Sequence, residues 1–288
     1  MENYFKDTSS NKTISDWLKH ATSELKKVKI ISARLDSLLL LEFGLRKSRS
    51  WLLAHEDNAL NEEDEIILNK YLIQRKNHAP LAYIIGSKEF YGHKFRVNKH
   101  VLIPRPESEA IIDLVIEAAQ NISISTETPV SVTALDLGTG SGCLAISAKL
   151  ELPELKVVAS DISDSALNVA KINAQQLNAE VKFIKSDLLS DVQDQQIDII
   201  IANLPYVPTN LVTSEEIVRE PGIALFSGKT GLKHYKKFWS EIDKLKHQPT
   251  YIITESLYQQ HVSIELFAKE NGYLLLKTKD LIQVFKKS

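Results

Sequence analysis

Cysteine is almost absent from this chain. Cys143 stands alone in 288 residues, so no intramolecular disulfide can form and a cysteine-based zinc site within one chain is excluded. A reducing cytoplasmic setting suits such a sequence. The eight histidines show no metal-ligand spacing, and no metal is expected. An excess of either charge is lacking too. The formal net charge is -2, which provides no broad basic surface for a phosphate backbone, so direct contact with nucleic acid is not expected. Long apolar runs are also missing. The stretch from Ser37 to Leu41 is far too short to span a bilayer, and the polar start with Glu2, Lys6, Asp7 and Lys12 lacks the apolar core of a secretory signal. No membrane association is expected.

What is present is ordinary globular composition, 43% hydrophobic and 25% charged, enough for one large core and a smaller one. Ile14, Trp17, Leu18, Ala21 and Leu25 fall on one helical face behind Thr13 as N-cap. A second stripe runs through Leu35, Leu38 and Leu39, with Ser32 as cap and Gly44 near its end. A third helix opens at Asn61, with Glu62, Glu63 and Asp64 complementing its dipole. Residues 1–78 are therefore expected to form a small helical bundle. Phe90-Tyr91, Gly92-His93 and then Phe95 and Val97 read as two short strands about a turn, giving a β-hairpin linker over 79–106. Pro104 and Pro106 bar helix until Glu107, where the second domain, 107–288, is expected to begin.

From Val130 onward apolar strand-like runs alternate with helical ones: Val132 to Leu137, Lys156 to Ser160, Val181 to Lys185, Ile197 to Ala202 and Thr250 to Thr254. Such alternation implies a doubly wound, mostly parallel α/β sheet. Tyr273 to Lys277 and Leu281 to Phe285 lie close enough to add a C-terminal antiparallel hairpin.

The first strand runs into Asp136-Leu137-Gly138-Thr139-Gly140-Ser141-Gly142, and a helical stretch follows. Nucleotide-like ligands bind at such turns, where glycines let the backbone come close and free N–H groups can meet an anion. A dinucleotide fingerprint would want glycine or alanine where Cys143 stands, and a P-loop would want Gly-Lys-Ser/Thr at Cys143-Leu144-Ala145; neither matches. The next strand ends at Asp161, 25 residues after Asp136, where a carboxylate could accept from both ribose hydroxyls. The third ends at Asp187-Leu188, and the fourth at Asn203-Leu204-Pro205-Tyr206.

The acidic residue followed by Gly-x-Gly-x-Gly resembles motif I of class I (Rossmann-like) methyltransferases. The resemblance implies S-adenosyl-L-methionine as cofactor and S-adenosyl-L-homocysteine as product. It gives Asp136, Gly138, Thr139, Gly140, Ser141 and Gly142 to the methionine side, Asp161 to the ribose, and Asp187 with Leu188 to the adenine. Asn203-Leu204-Pro205-Tyr206 resembles the Asn-Pro-Pro-Tyr motif of methyltransferases that act on planar nitrogens. By that likeness the Asn203 side-chain oxygen, which also borders the cofactor, and the Leu204 carbonyl accept the two N–H hydrogens of the substrate. Pro205 completes the motif and Tyr206 packs on the substrate plane. Leu204 replaces the family's first proline, and Asn-Leu-Pro-Tyr is also a form found in ribosomal-RNA adenine dimethyltransferases, so the tetrapeptide leaves glutamine and adenine both open.

Sequence outside the cofactor domain makes that choice. Pro80-Leu81-Ala82-Tyr83-Ile84-Ile85-Gly86, Phe90-Tyr91-Gly92 and Val101-Leu102-Ile103-Pro104-Arg105-Pro106-Glu107-Ser108-Glu109 resemble the linker of protein-glutamine N5-methyltransferases specific for release factors. The stretch Ala33 to Leu40, and Glu220-Pro221 with Ala224-Leu225, Gly228 and Gly231-Leu232, extend the likeness over nearly the whole chain. It implies transfer to the glutamine of the Gly-Gly-Gln motif in class 1 peptide-chain release factors, recognised through the N-terminal bundle, with Arg105 lining the substrate site. The alternatives are a ribosomal-protein glutamine, an adenine N6 of RNA or DNA, and a silent binding adaptor. That last is motivated by Leu204 and by a tail around Glu255-Ser256-Leu257 and Asp280-Leu281-Ile282-Gln283 that lacks the family's glycines and an arginine.

Overall fold

The computed structural model describes residues 12–125, 131–211 and 214–288. The first eleven residues of the expected bundle, and Val130, lie outside them. The chain forms two compact units that meet between Ile85 and Gly86.

The first unit is helical: α1 (Ile14–Lys27), α2 (Ala33–Leu45), α3 (Arg49–Ala54), α4 (Glu62–Lys76) and α5 (Leu81–Ile85). Thr13 caps α1 through a reciprocal box with Asp16, and Asn61 caps α4 by accepting from the Asp64 N–H. Ser32 precedes α2 without capping it, and that helix ends at Arg46 in a left-handed conformation rather than at Gly44. Gly44 stays inside the helix because Leu68 occupies the space a Cβ would need, 2.6 Å away. Trp17, Leu25, Leu40, Leu41 and Leu68 form the core. Beside them Arg75 and Asp36 make a buried ion pair at 2.7 Å. The short helices α3 and α5 carry too few periodic apolar positions to stand out in the sequence.

The second unit opens with a hairpin, β1 (Ser87–Phe90) and β2 (His93–Arg96). Its turn residues Tyr91 and Gly92 both have positive φ, 49° and 73°, the geometry that matches a two-residue turn to strand twist. Phe90 and Phe95 are buried in the same core as Ile111, Val115 and Ala145, so the hairpin packs as part of this unit. A 3-10 turn, Pro106–Glu109, leads into α6 (Ala110–Ser125). It starts at Pro106 itself, one residue earlier than the prolines suggest, because a first-turn residue needs no intrahelical N–H.

Seven strands follow in one sheet: β3 (Thr133–Leu137), β4 (Lys156–Asp161), β5 (Lys182–Lys185), β6 (Ile199–Ala202), β7 (Tyr251–Glu255), β8 (Tyr273–Lys279) and β9 (Ile282–Lys287), in the order β5-β4-β3-β6-β7-β9-β8. The first five are parallel; β9 runs antiparallel to both β7 and β8. Helices α7 (Cys143–Glu151), α8 (Asp164–Gln176), α10 (Lys233–Glu241) and α11 (His261–Glu270), with the short α9 (Gly222–Leu225), make the connections. Successive residues of β6 and β7 alternate between two cores. Ile199, Ile201 and Ile253 pack with α6 and α7, while Ile200, Ala202 and Ile252 pack with Phe238 and Trp239 of α10. The order reverses at β3, between β4 and β6, so the carboxyl ends of β3, β4 and β6 border the crevice where ligands bind in doubly wound sheets. Among the described residues no helix is long and apolar enough to cross a membrane.

Candidate active site

Each parallel strand delivers a polar residue at its carboxyl end, and the structure brings these ends together. After β3 the chain passes through Gly138, Gly140 and Gly142 at φ 75°, 55° and 82°, values that disfavour side chains. The Gly138 and Thr139 N–H groups both donate to the Ser160 carbonyl at 2.9 Å, which ties the loop to β4. At Gly142 a Cβ would meet Ile146 at 2.9 Å and Ala170 at 3.1 Å, so this glycine serves the packing of α7 on α8. Asp136 is buried beneath the loop, accepting from the Thr139 hydroxyl at 2.6 Å and the Ala145 N–H at 3.3 Å. Its burial pushes the carboxyl up to about 6, against the pull of Thr139.

Asp161 ends β4 and is held from both sides. Its Oδ2 accepts from the Gly140 N–H and its Oδ1 from the Ser163 N–H, each at 2.9 Å. Burial raises this carboxyl as well, opposed by those backbone donors. Asp187, beyond β5, is half exposed and pairs with Lys237 at 2.6 Å.

The Asn203-Leu204-Pro205-Tyr206 turn leaves β6 at the centre of the crevice. The Asn203 Nδ2 donates to Ser108 Oγ and to Glu255 Oε2, each at 3.2 Å. The Tyr206 hydroxyl donates to Glu255 Oε1 at 3.0 Å. Because a carboxylate only accepts, Glu255 fixes which end of the Asn203 amide it faces, and Oδ1 is left without a partner among the described residues. Glu255 ends β7, only 2% exposed; burial raises its carboxyl, opposed first by the Ser108 hydroxyl and then by Tyr206. The buried Tyr235 hydroxyl donates toward the carbonyls of Ala202 (2.7 Å) and Glu255 (2.5 Å), clasping the ends of β6 and β7. Gln260 secures the motif from its far side by donating to the Tyr206 carbonyl at 2.8 Å.

Two cavities meet at Asn203 and Leu204. One, about 150 Å³, is lined by Gly138, Gly140, Asp161, Asp187, Leu188 and Pro205, among others. The other, about 270 Å³, is lined by Arg105, Ser108, Thr139, Ser141, Tyr206 and Glu255, among others. Gly138, Gly140, Asn203 and Leu204 border both. Of the residues singled out in the sequence, Asp136 and Gly142 line neither; they brace the loop from behind. Arg105 lines the second cavity while pairing with Glu220 at 2.5 Å, and Glu220 also accepts from the Ile103 N–H at 3.0 Å. Sequence reasoning missed Ser108, Glu255 and Tyr235. The strand-end pattern that pointed to Asp161, Asp187 and Asn203 would have pointed to Glu255, the end of the strand that follows.

Comparison with known proteins gives the family. Residues 16–86 match the PrmC N-terminal domain and residues 118–228 the Methyltransferase small domain. The release factor glutamine methyltransferase of Bacillus subtilis is 35% identical over 259 residues, 88% of each chain. The chain belongs to that family. The release factor glutamine methyltransferase of Koribacter versatilis is 36% identical, over 80% of this chain and 81% of its own. The bifunctional methyltransferase of Rickettsia felis is 34% identical over 91% of this chain, which spans 54% of that longer protein. At the level of fold, this family member resembles the hMettl16 catalytic domain, solved with a MAT2A 3'UTR hairpin, with a TM-score of 0.52 at 15% identity, covering 79% of this chain and 82% of that one. The class I methyltransferase architecture is thus shared by proteins of very different sequence.

Proposed function

We propose that this chain methylates the side-chain amide nitrogen (N5) of the glutamine in the Gly-Gly-Gln motif of class 1 peptide-chain release factors, in the cytoplasm, using S-adenosyl-L-methionine. The observation that carries the reading is the Asn203 amide, pinned through Nδ2 to Ser108 and Glu255 so that Oδ1 is unengaged where the two cavities meet. The cofactor fits the smaller cavity by its donor set. Asp161, already oriented by two backbone donors, offers a carboxylate for vicinal hydroxyls, and the loop at Gly138 and Gly140 has no side chain to bar the methionine portion. When bound, the cofactor supplies an electrophilic methyl group on sulfonium, a good leaving group.

The protein's task is the nucleophile, a planar amide nitrogen whose lone pair is delocalised. Asn203 Oδ1 and the Leu204 carbonyl accept its two N–H hydrogens and turn the lone pair toward the methyl group; Pro205 shapes the turn and Tyr206 packs on the amide plane. Acceptors fixed in advance need no reorganisation as the N–CH3 bond forms, the S–CH3 bond breaks and positive charge develops on nitrogen, so positioning and electrostatics supply most of the acceleration. The methylated amide then releases one N–H proton to solvent. Arg105 borders the substrate entrance. The division of labour we assign is recognition by the bundle of 1–78, connection through 79–106 and transfer by 107–288.

The test is methyl transfer from labelled cofactor to a purified, unmodified class 1 release factor. Label should vanish when the Gly-Gly-Gln glutamine becomes alanine, and Asn203→Ala should lower kcat by about 100- to 1,000-fold. Label on the glutamine-free substrate, or none on the intact one, would overturn the assignment.

A further inference from the structure

A hydrogen-bond chain beside the cofactor cavity has no part in the transfer chemistry above. His234, in the first turn of α10, lines that cavity together with Asp161, Asp187 and Leu188. Its backbone N–H donates to the Ser227 hydroxyl oxygen at 2.9 Å, and the same oxygen lies 2.8 Å from its ring Nδ1. Ser227 is fully buried, so its own O–H needs an acceptor, and Nδ1 is the one it meets among the described residues. A hydroxyl that donates to Nδ1 leaves the ring proton on Nε2. Burial first, then Lys233 and Lys237 outweighing Asp187, lowers His234 from the usual imidazole range, so the ring is neutral at pH 7.

The cavity wall therefore holds an N–H donor of fixed tautomer, Nε2, with no partner among the described residues, and, besides the Asp161 carboxylate already assigned to the ribose, the carboxylate acceptor Asp187, of which Oδ2 is engaged by Lys237. Adenine presents the complementary pattern, an amino donor beside ring-nitrogen acceptors. We propose that His234 reads the adenine ring of the cofactor, donating from Nε2 to a ring nitrogen while Asp187 accepts from the exocyclic amine. This rests on the cofactor assignment made above and adds a specificity-determining residue to it. Ser227 acts through His234 as a positioning residue.

Calorimetric titration of the full chain with S-adenosyl-L-homocysteine and its 1-deaza- and 7-deazaadenine analogues tests the assignment. Removing the nitrogen that His234 contacts should weaken binding to the wild-type chain about tenfold, and His234→Phe should weaken binding of the parent ligand by a similar factor of about ten while abolishing that deaza penalty. His234→Gln, which keeps a side-chain N–H of similar reach, should stay within about threefold of wild type, and Ser227→Ala should fall between, its imidazole free to change tautomer. Wild-type affinity in His234→Phe, or deaza penalties that persist in it, would overturn the proposal while Asp161→Asn still weakens binding and the cofactor reading stands. Failure of the wild-type chain to bind S-adenosyl-L-homocysteine at all would overturn both.

Discussion

In the helical unit the buried carboxylate Asp36 lies 2.7 Å from the Arg75 guanidinium, and the shifted carboxylates on its surface, Asp16, Glu24 and Glu65, are all lowered by hydrogen-bond donors, Glu24 to about 2 by Lys27 and Lys76. In the sheet unit Asp136 and Glu255 are buried and Asp161 is partly buried, all against neutral donors, and burial raises all three. The first set stabilises its unit as charge. The second keeps charge where the protein would be more stable without it. Of these three, Asp161 and Glu255 border the cavities, and carboxylates raised by burial at strand ends beside a cavity are candidates for a functional site.

The contrast breaks most severely at Asp36. Replacing it with alanine removes the carboxylate that Arg75 meets in the core and should cost about 3–5 kcal/mol, read by denaturant unfolding through Trp17 and Trp51 in a Trp239→Phe background, where both remaining tryptophans report on the helical unit. A loss under about 1 kcal/mol would mean the pair adds little beyond a surface contact. Glu255 is the counterpart in the sheet unit. Glu255→Gln keeps the shape but presents an amide where Asn203 Nδ2 and Tyr206 both donate, so one of them loses its acceptor. The expected result is a fall in kcat of about 10- to 100-fold with the KM for cofactor nearly unchanged, because the substrate acceptor is misaimed while the cofactor cavity is intact. An unchanged kcat would show that Asn203 is oriented without Glu255.

Acid should separate the units more gently. A carboxyl raised in the folded state, as Asp136 is to about 6, binds more protons folded than unfolded, so its contribution is full below about pH 4 and is lost as pH rises through about 6; the slope from Asp136 reaches at most about 1.4 kcal/mol per pH unit. Asp136→Asn should remove that slope from the sheet unit. The helical unit should move the other way, losing stability as pH falls from about 4 toward 2, where Glu24 takes up its proton. Urea titrations between pH 3 and pH 7, following Trp239 in one variant and Trp17 with Trp51 in another, distinguish the two. Parallel slopes in both units would contradict the shifts.

How much of this the sequence revealed depends on whether a residue's role is local. The caps Thr13 and Asn61, the turn at Tyr91-Gly92 and the glycine loop show themselves through residue types over a few positions. The class I fold followed from strand–helix alternation together with motifs at strand ends. Ser108 and Tyr235 were not legible, because their meaning comes from meeting Asn203 or its strand across separations that no short pattern encodes, 95 residues for Ser108; Glu255 was legible only as a strand end, while its partnership with Asn203 spans 52 residues. The tail around Glu255-Ser256-Leu257 read as divergence, yet it places a buried carboxylate at the motif. Asp136 shows the converse error of emphasis. Its place before the glycines suggested contact with ligand, whereas its hydrogen bonds run to Thr139 and Ala145 behind the loop.

Leu204 offers the smallest perturbation on activity. Its side chain is buried, packing with Leu137 and Tyr235 and lying 3.7 Å from where a Cβ on Gly138 would sit. Substitution by proline, the family's usual residue, removes the backbone N–H and trims the packing but leaves the carbonyl that the proposed chemistry uses. Leu204→Pro should therefore cost about 1–2 kcal/mol of unfolding free energy in the sheet unit, while kcat stays within about threefold, a factor that corresponds to roughly 0.6 kcal/mol in barrier height. A large gain in turnover with no loss of stability would mean that leucine restrains catalysis, and the silent-adaptor reading would then describe the natural chain better than an active enzyme does. The expected pattern, stability changed and turnover preserved, assigns Leu204 to the core beneath the glycine loop and leaves the transfer to Asn203 and the Leu204 carbonyl.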